Sequence, residues 1–107
     1  MREPLPNWRY CETFEIEFGG LSKPHTVTVG YYPDGRIGEV FINSNSTGTL
    51  TEAIARDGAI VLSLALQSGI ELTTVQHALT RDSQGSPMSI VGAVVDVLLG
   101  GDNREAK

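Results

Sequence analysis

The chain has 107 residues, of which 40% are hydrophobic, and a formal net charge of −5. This length fits one domain that buries about 60–65% of its unfolded surface. The acidic balance and the scattered Lys and Arg residues argue against a nucleic-acid partner, and the single cysteine, Cys11, excludes an internal disulfide or a multi-cysteine zinc site. Since no apolar run reaches the ~18 residues of a membrane span and none follows the N-terminus as a leader, we expect a cytoplasmic protein with no membrane contact.

The first part of the chain predicts an arm followed by two strands. Residues 1–9 contain two prolines and are expected to form an extended N-terminal arm in which Trp8 covers the edge of the core. Residues 10–18 and 25–31 alternate between apolar and polar side chains, which is the period of a half-buried strand. The polar side of the first strand carries Thr13, Glu15 and Glu17.

A third strand is predicted after a turn. Pro33-Asp34-Gly35 is typical of a tight turn, because proline presets φ, aspartate accepts local N–H groups and glycine accepts positive φ. Residues 37–42 are therefore expected to return as the second arm of a hairpin. Their centre is apolar on both faces, which predicts that this strand is the middle one or is covered.

A long central helix is predicted next. Thr49 and Glu52 form a capping pattern at its start, and Gly69 suits the left-handed position after its end. The run Gly58–Leu66 is apolar except for Ser63, so the second half of the helix is expected to have no exposed face. Ser63 is expected to bond a carbonyl one turn back along the helix.

Two further helices complete the prediction. Thr73 and Gln76 repeat the capping pattern and predict a short helix ending near residue 80. Ser86, followed directly by a proline, is the predicted N-cap of a last helix that runs to Leu99, and Asp96 is expected to face water. The predicted apolar stripe of this helix consists of Ile90, Val91, Val94, Val95 and Leu98.

These elements predict an α+β fold, in which a three-stranded antiparallel sheet is followed by three helices packed on one face. Residues 10–100 are expected to form this single domain, and residues 101–107 a flexible tail. A small sheet leaves edge groups that another chain can pair, so the contact surface is expected at the open polar face or at a sheet edge, and a homodimer is predicted.

Residue patterns give no catalytic or metal site. His25 and His77 lie in different predicted elements without carboxylate or cysteine partners at ligand spacing, so no metal ion is expected. Cys11 has no neighbouring positive charge to lower its pKa, and Ser63 has no base nearby in the sequence. No catalytic residue is therefore predicted.

Separate blocks of the chain resemble the C-terminal TSCPD region of adenosylcobalamin-dependent (class II) ribonucleotide reductases. The first block, D-G-x-x-G-E-x-F-I, is Asp34–Ile42 here, and a glycine follows at Gly48. The second, S-x-x-L-Q-x-G-x-x-L, is Ser63–Leu72, and the third is Ser89-Ile90. The resemblance spans roughly Val27–Leu99.

The resemblance implies a role linked to deoxynucleotide metabolism but not a complete reductase. The cysteine-bearing segment of the family's region is absent here, and Gly92 stands where the reductases tend to have aspartate. Radical reduction in that family needs several cysteines and a cobalamin site. We therefore expect an accessory or binding module that is not catalytic alone and binds nucleotides weakly at most. Its expected partner is a reductase or another protein. The chain is expected to bind no cofactor itself, so that adenosylcobalamin is involved only through a reductase partner.

A small enzyme or ligand-binding protein with a site in the crevice between sheet and helix is the alternative. The candidate ligand-binding residues are Asp34, Arg36, Glu39 and Gln67, with Glu39 and Gln67 the first to test. The surface is acidic, so a polyphosphate is expected to be repelled unless Arg36, Arg56 or Arg81 offsets it locally.

Overall fold

The computed structural model describes residues 2–18, 23–44 and 49–100 and confirms the predicted α+β order, a three-stranded antiparallel sheet followed by three helices. The chain divides into two compact units between Ile70 and Glu71. Two predicted features lie outside the described residues, namely the Gly48 motif position and the tail at 101–107. The elements are β1 (Cys11–Phe18), β2 (Lys23–Tyr31), β3 (Ile37–Ser44), α1 (Leu50–Gln67), α2 (Leu72–Ala78) and α3 (Ile90–Leu98).

The sheet has the order β1-β2-β3, so the central strand is β2. Of the two predicted alternatives for β3, the middle position is wrong, because β3 is an edge strand. The second alternative, that the strand is covered, holds on one face, where Val40 and Ile42 are buried, whereas Phe41 on the other face is 50% exposed. The predicted hairpin is present, because Gly35 adopts φ 94° and its N–H donates to the Tyr32 carbonyl. A register shift follows Gly30, where β2 bends into that turn.

One face of the sheet forms the core of the first unit together with α1. Side chains pointing to this face alternate along each strand with side chains on the open face, which is mostly polar but includes Phe41, as the period of two requires. Each fully buried branched side chain contributes about 1.5–3 kcal/mol relative to an exposed one. The buried residues are Ile16, Val27, Val29, Val40 and Ile42 on the strands and Ala55, Ala59, Leu62 and Leu66 on α1.

Helix α1 begins and ends as its sequence predicts. Thr49 Oγ1 accepts a hydrogen bond from the Glu52 N–H at 3.1 Å, and Gly69 ends the helix with φ 91°. The prediction that its second half has no exposed face is wrong, since Val61 is 67% exposed and Leu64 is also exposed. A run of apolar residues winds around the whole helix, whereas the sheet covers only one side of it.

The N-terminal arm is docked on the first unit, but not through Trp8. Trp8 is 93% exposed, so the prediction that it covers the core edge is wrong. Leu5 packs against Gly38 instead, and a Cβ atom at position 38 would lie 2.6 Å from Leu5 Cδ2. The Glu3 N–H donates to the Gln67 carbonyl at 2.7 Å, which ties the arm to the end of α1.

In the second unit, α2 and α3 start at other residues than predicted. The N-cap position of α2 is Glu71, not Thr73, and it makes no side-chain hydrogen bond. Gln76 bonds Asp96 rather than the start of its own helix. The N-cap of α3 is Ser89, whose Oγ accepts from the Gly92 N–H at 3.1 Å, and not Ser86.

The segment before α3 explains why Ser86 does not cap it. Arg81 and Pro87 form an isolated antiparallel bridge, and the Asp82 N–H donates to the Ser86 carbonyl. These bonds hold the residues in a short hairpin, so the helix cannot begin at Pro87. The buried side of α3 comprises Ile90, Gly92, Val94, Val95 and Val97, which differs from the predicted stripe at Val91 and Leu98.

Candidate functional site

Ser63 and Gln67 join α1 to the outer edge of β3. Ser63 Oγ accepts from the Val40 N–H at 2.8 Å and donates to the Val40 carbonyl at 3.0 Å. Gln67 Nε2 donates to the Gly38 carbonyl at 2.9 Å. The predicted bond from Ser63 to its own helix is therefore wrong. The two side chains lie one helical turn apart, and they satisfy strand groups that a neighbouring strand would otherwise pair.

Asp34 and Arg36 lie together at the tip of the hairpin. The Asp34 carboxylate accepts hydrogen bonds from the Arg36 backbone N–H at 3.0 Å and from its Nε at 2.8 Å, and these bonds lower the pKa of Asp34. Arg36 also donates to Glu3 Oε1 at 3.0 Å, and its guanidinium lies 4.5 Å from the centre of the Tyr32 ring. The Tyr32 hydroxyl donates to the Glu3 carbonyl, and burial raises the pKa of Tyr32.

Glu39 has a different partner. It is buried, and its Oε2 accepts from Arg9 Nε at 2.5 Å, a bond that raises the pKa of Arg9. Gly30 faces Glu39 across the strands, and a Cβ atom there would lie 2.7 Å from Glu39 Cγ. Glycine at this position is thus what gives the Glu39 side chain room to lie over the sheet and meet the arm.

The four candidate ligand-binding residues thus do not share one contact. Asp34 and Arg36 pair with each other, Glu39 pairs with Arg9, and Gln67 bonds the β3 backbone. Each of them holds the arm, the turn or the helix in place. Their ligand-binding role stays a prediction.

A polar cluster in the second unit was missed by the sequence reasoning. Asp96 accepts two hydrogen bonds from Arg81, at 2.5 and 3.1 Å, and one from Gln76 Nε2 at 2.9 Å. The prediction that Asp96 faces water holds only in part, because its side chain is 26% exposed and also bonds Arg81 and Gln76. The bonds from Arg81, and then that from Gln76, lower the pKa of Asp96 against an opposing effect of burial. A carboxylate on an otherwise apolar helix is the sequence signal that points to such a partner.

A pocket of about 370 Å³ lies between β3 and α1. Ile42 and Ala59 form its buried part, while Phe41 and Ile60 are half exposed. Its polar lining is Thr28, Asn43 and Arg56. The sheet–helix crevice predicted as an alternative site is present here, although neither Glu39 nor Gln67 lines it.

Within residues 2–18, 23–44 and 49–100, no three His, Cys, Asp or Glu side chains are grouped to hold a metal ion. Over the same ranges, every helix is too short or too polar to cross a bilayer. Cys11 is an exposed free thiol.

Comparison with known proteins identifies the family. The TSCPD domain model matches residues 3–99. Proteins named vitamin B12-dependent ribonucleotide reductase match from Agrobacterium fabrum (40% identity over 81 residues), Bradyrhizobium diazoefficiens (36% over 81) and Rhodopirellula baltica (35% over 74). These alignments cover 74%, 74% and 69% of this chain.

The chain spans only 6–7% of the length of these relatives, and no solved structure matches it. The family match covers the docked arm, the hairpin, the Ser63–Gln67 segment and the Ser89 cap. By this match, the chain belongs to the TSCPD domain family and is related to a region of vitamin B12-dependent ribonucleotide reductases.

Proposed function

We propose that this chain is an accessory or binding module connected with deoxynucleotide metabolism and DNA biosynthesis, and that it does not reduce ribonucleotides alone. The observation that carries the proposal is the match of most of this chain to about 6% of the reductases. A segment that is so small a part of a large enzyme serves that enzyme best by contact with the rest of it.

The cofactor of those relatives does not fit the described residues. The pocket between β3 and α1, at about 370 Å³, is far smaller than a corrinoid cofactor. In our proposal the chain binds no cofactor itself, and adenosylcobalamin belongs to the reductase partner.

Helix α1 supplies a surface that suits a protein partner. Leu50, Ile54, Val61 and Leu64 recur at helical spacing on the side of α1 opposite its buried residues, and all four are exposed. The exposed Asp57 lies between Ile54 and Val61 on this side, so the stripe consists of two apolar pairs, Leu50 with Ile54 and Val61 with Leu64. Exposed apolar patches of this kind are typical of interaction sites. We call these four residues the α1 stripe and propose that a vitamin B12-dependent reductase covers it.

Affinity capture from the source cells tests the partner. The tagged chain and a Val61→Glu variant are purified in parallel, and the reductase in each eluate is quantified by mass spectrometry. We expect enrichment with the wild-type chain alone, because a carboxylate in the centre of an apolar contact must be desolvated. Equal amounts of reductase in both eluates would count against the α1 stripe.

We further propose that the protein is a cytoplasmic homodimer. The exposed free thiol of Cys11 suits a reducing compartment. Of the two sheet edges, β3 is bonded by Ser63 and Gln67 near its start, so β1 is the edge proposed to pair with a second copy. Sedimentation at tens of micromolar tests this, and a purely monomeric species would remove the proposal.

A further inference from the structure

We infer that the pocket between β3 and α1 is a binding site for a small aromatic molecule that carries one anionic group. The inference does not depend on the proposed reductase contact, because the pocket residues are separate from the α1 stripe. The volume of about 370 Å³ lies at the lower end of the roughly 300–1,000 Å³ typical of small-molecule sites.

The apolar part of the lining selects a flat hydrophobic group. Ile42 and Ala59 are buried beneath the pocket, and the half-exposed Phe41 and Ile60 come from the strand and the helix respectively. A ring placed here covers apolar surface that water now contacts, including the half-exposed Phe41 and Ile60.

Arg56 selects the charge of the ligand. It is the one charged residue among the described lining residues, and no carboxylate lines the pocket with it. Its Nη2 donates to Glu52 Oε2 at 3.0 Å, but a guanidinium carries five N–H donors and can bind a second anion. Asn43 and Thr28 add neutral hydrogen-bonding groups that orient the ring substituents.

A carboxylate and a phosphate monoester both satisfy this chemistry, so the test compares them. The ¹⁵N-labelled chain is titrated with adenosine 5′-monophosphate, with indole-3-acetate and with uncharged adenosine. We expect saturable shifts centred on Thr28, Phe41 and Asn43 for at least one anion, at concentrations up to about 10 mM, and weaker binding of adenosine. The anion that binds more tightly shows whether the site prefers a phosphate monoester or a carboxylate.

Matched variants locate the site. Arg56→Gln is expected to weaken anion binding about tenfold, since a charge-assisted bond is lost. Glu52→Gln is expected to tighten it, because the ligand no longer competes with that carboxylate for Arg56. Arg2→Gln, at an exposed position of the N-terminal arm, is the control and is expected to bind like the wild type. Arg36→Gln, at the hairpin tip, tests whether the ligand binds there instead.

Three results would overturn the inference. They are the absence of saturable shifts with either anion, equal affinity of Arg56→Gln and the wild type, and loss of binding in Arg36→Gln with retention in Arg56→Gln. The last result would place the ligand at the hairpin tip. Backbone amide spectra of every variant confirm that the fold is retained, so a change in affinity reports on the site.

Discussion

Single side chains in this molecule mostly connect segments that lie far apart in the sequence. Ser63 reaches a strand residue 23 positions earlier, and Arg9 reaches Glu39 across 30 positions. Each of these bonds satisfies a polar group that folding removes from water, so the loss of one partner costs more than the bond itself contributes. Of the residues common to the reductase motifs, Ser63, Glu39 and Gln67 therefore make structural bonds here.

Ser63→Ala tests this at the β3 edge. The variant leaves both the N–H and the carbonyl of Val40 without the Ser63 hydroxyl, and we expect a loss of about 1–3 kcal/mol in the free energy of unfolding. Ser68→Ala, at an exposed position one turn beyond, serves as the control and is expected to change stability little. Denaturant unfolding measures both, and similar midpoints for the two variants would show that the Val40 bonds contribute little.

Asp96 makes a pH-dependent contribution to the stability of the second unit. Arg81 lowers the pKa of Asp96 in the folded state, so its stabilising effect is present above the ordinary aspartate pKa of about 3.9 and is lost as the pH falls through the lower folded value. We expect Asp96→Asn to lower the unfolding midpoint at pH 7 and to converge with the wild type as the pH falls below about 4.

The contrary result would be a difference between Asp96→Asn and the wild type that stays constant from pH 7 to pH 3. The variant Arg81→Lys tests the same ion pair from the side of its cation. Lysine keeps the charge but cannot make the two parallel hydrogen bonds that Arg81 makes to Asp96. We expect Arg81→Lys to retain only part of the free energy of unfolding that the Arg81–Asp96 pair contributes in the wild type.

At the scale of elements, local chemistry set the ends of α1 and the hairpin, and these were predictable. The Thr49 cap, the Gly69 stop and the Asp34-Gly35 turn each depend on atoms within a few residues. The start of α3 was not predictable in this way. Ser86 and Ser89 are both suitable N-cap residues. The bridge between Pro87 and Arg81 keeps Pro87 out of the helix, so the helix is capped by Ser89.

The two sides of α1 are expected to respond differently to truncation. Leu62 is 3% exposed and Leu64 is 43% exposed, although the apolar run that contains them predicts that both are buried. We expect Leu62→Ala to cost about 2–5 kcal/mol through a core cavity, and Leu64→Ala about 1 kcal/mol or less. Thermal or denaturant unfolding measures the pair, and equal costs would show that the exposed side of α1 is buried in solution.

At the scale of the whole molecule, the sequence predicted the fold class and the family but not the proposed contact surface on α1 or the proposed binding pocket. A run of apolar residues does not reveal which side of the helix the rest of the chain covers. The sequence therefore predicts that the α1 stripe is buried, although it is exposed. The four candidate site residues each have a partner within the chain, and their ligand-binding role stays a prediction. Phe41 and Arg56 line a pocket because α1 packs on β3, which is a tertiary fact.

A binding titration tests the proposed reductase contact most directly. A purified vitamin B12-dependent ribonucleotide reductase, with the segment that matches this chain deleted, is titrated with the wild-type chain and with Val61→Glu. We expect saturable binding by the wild type and binding about tenfold weaker or worse by the variant, because its carboxylate is desolvated in the contact. No binding by the wild-type chain, or equal binding by both chains, would contradict a module that acts through the α1 stripe.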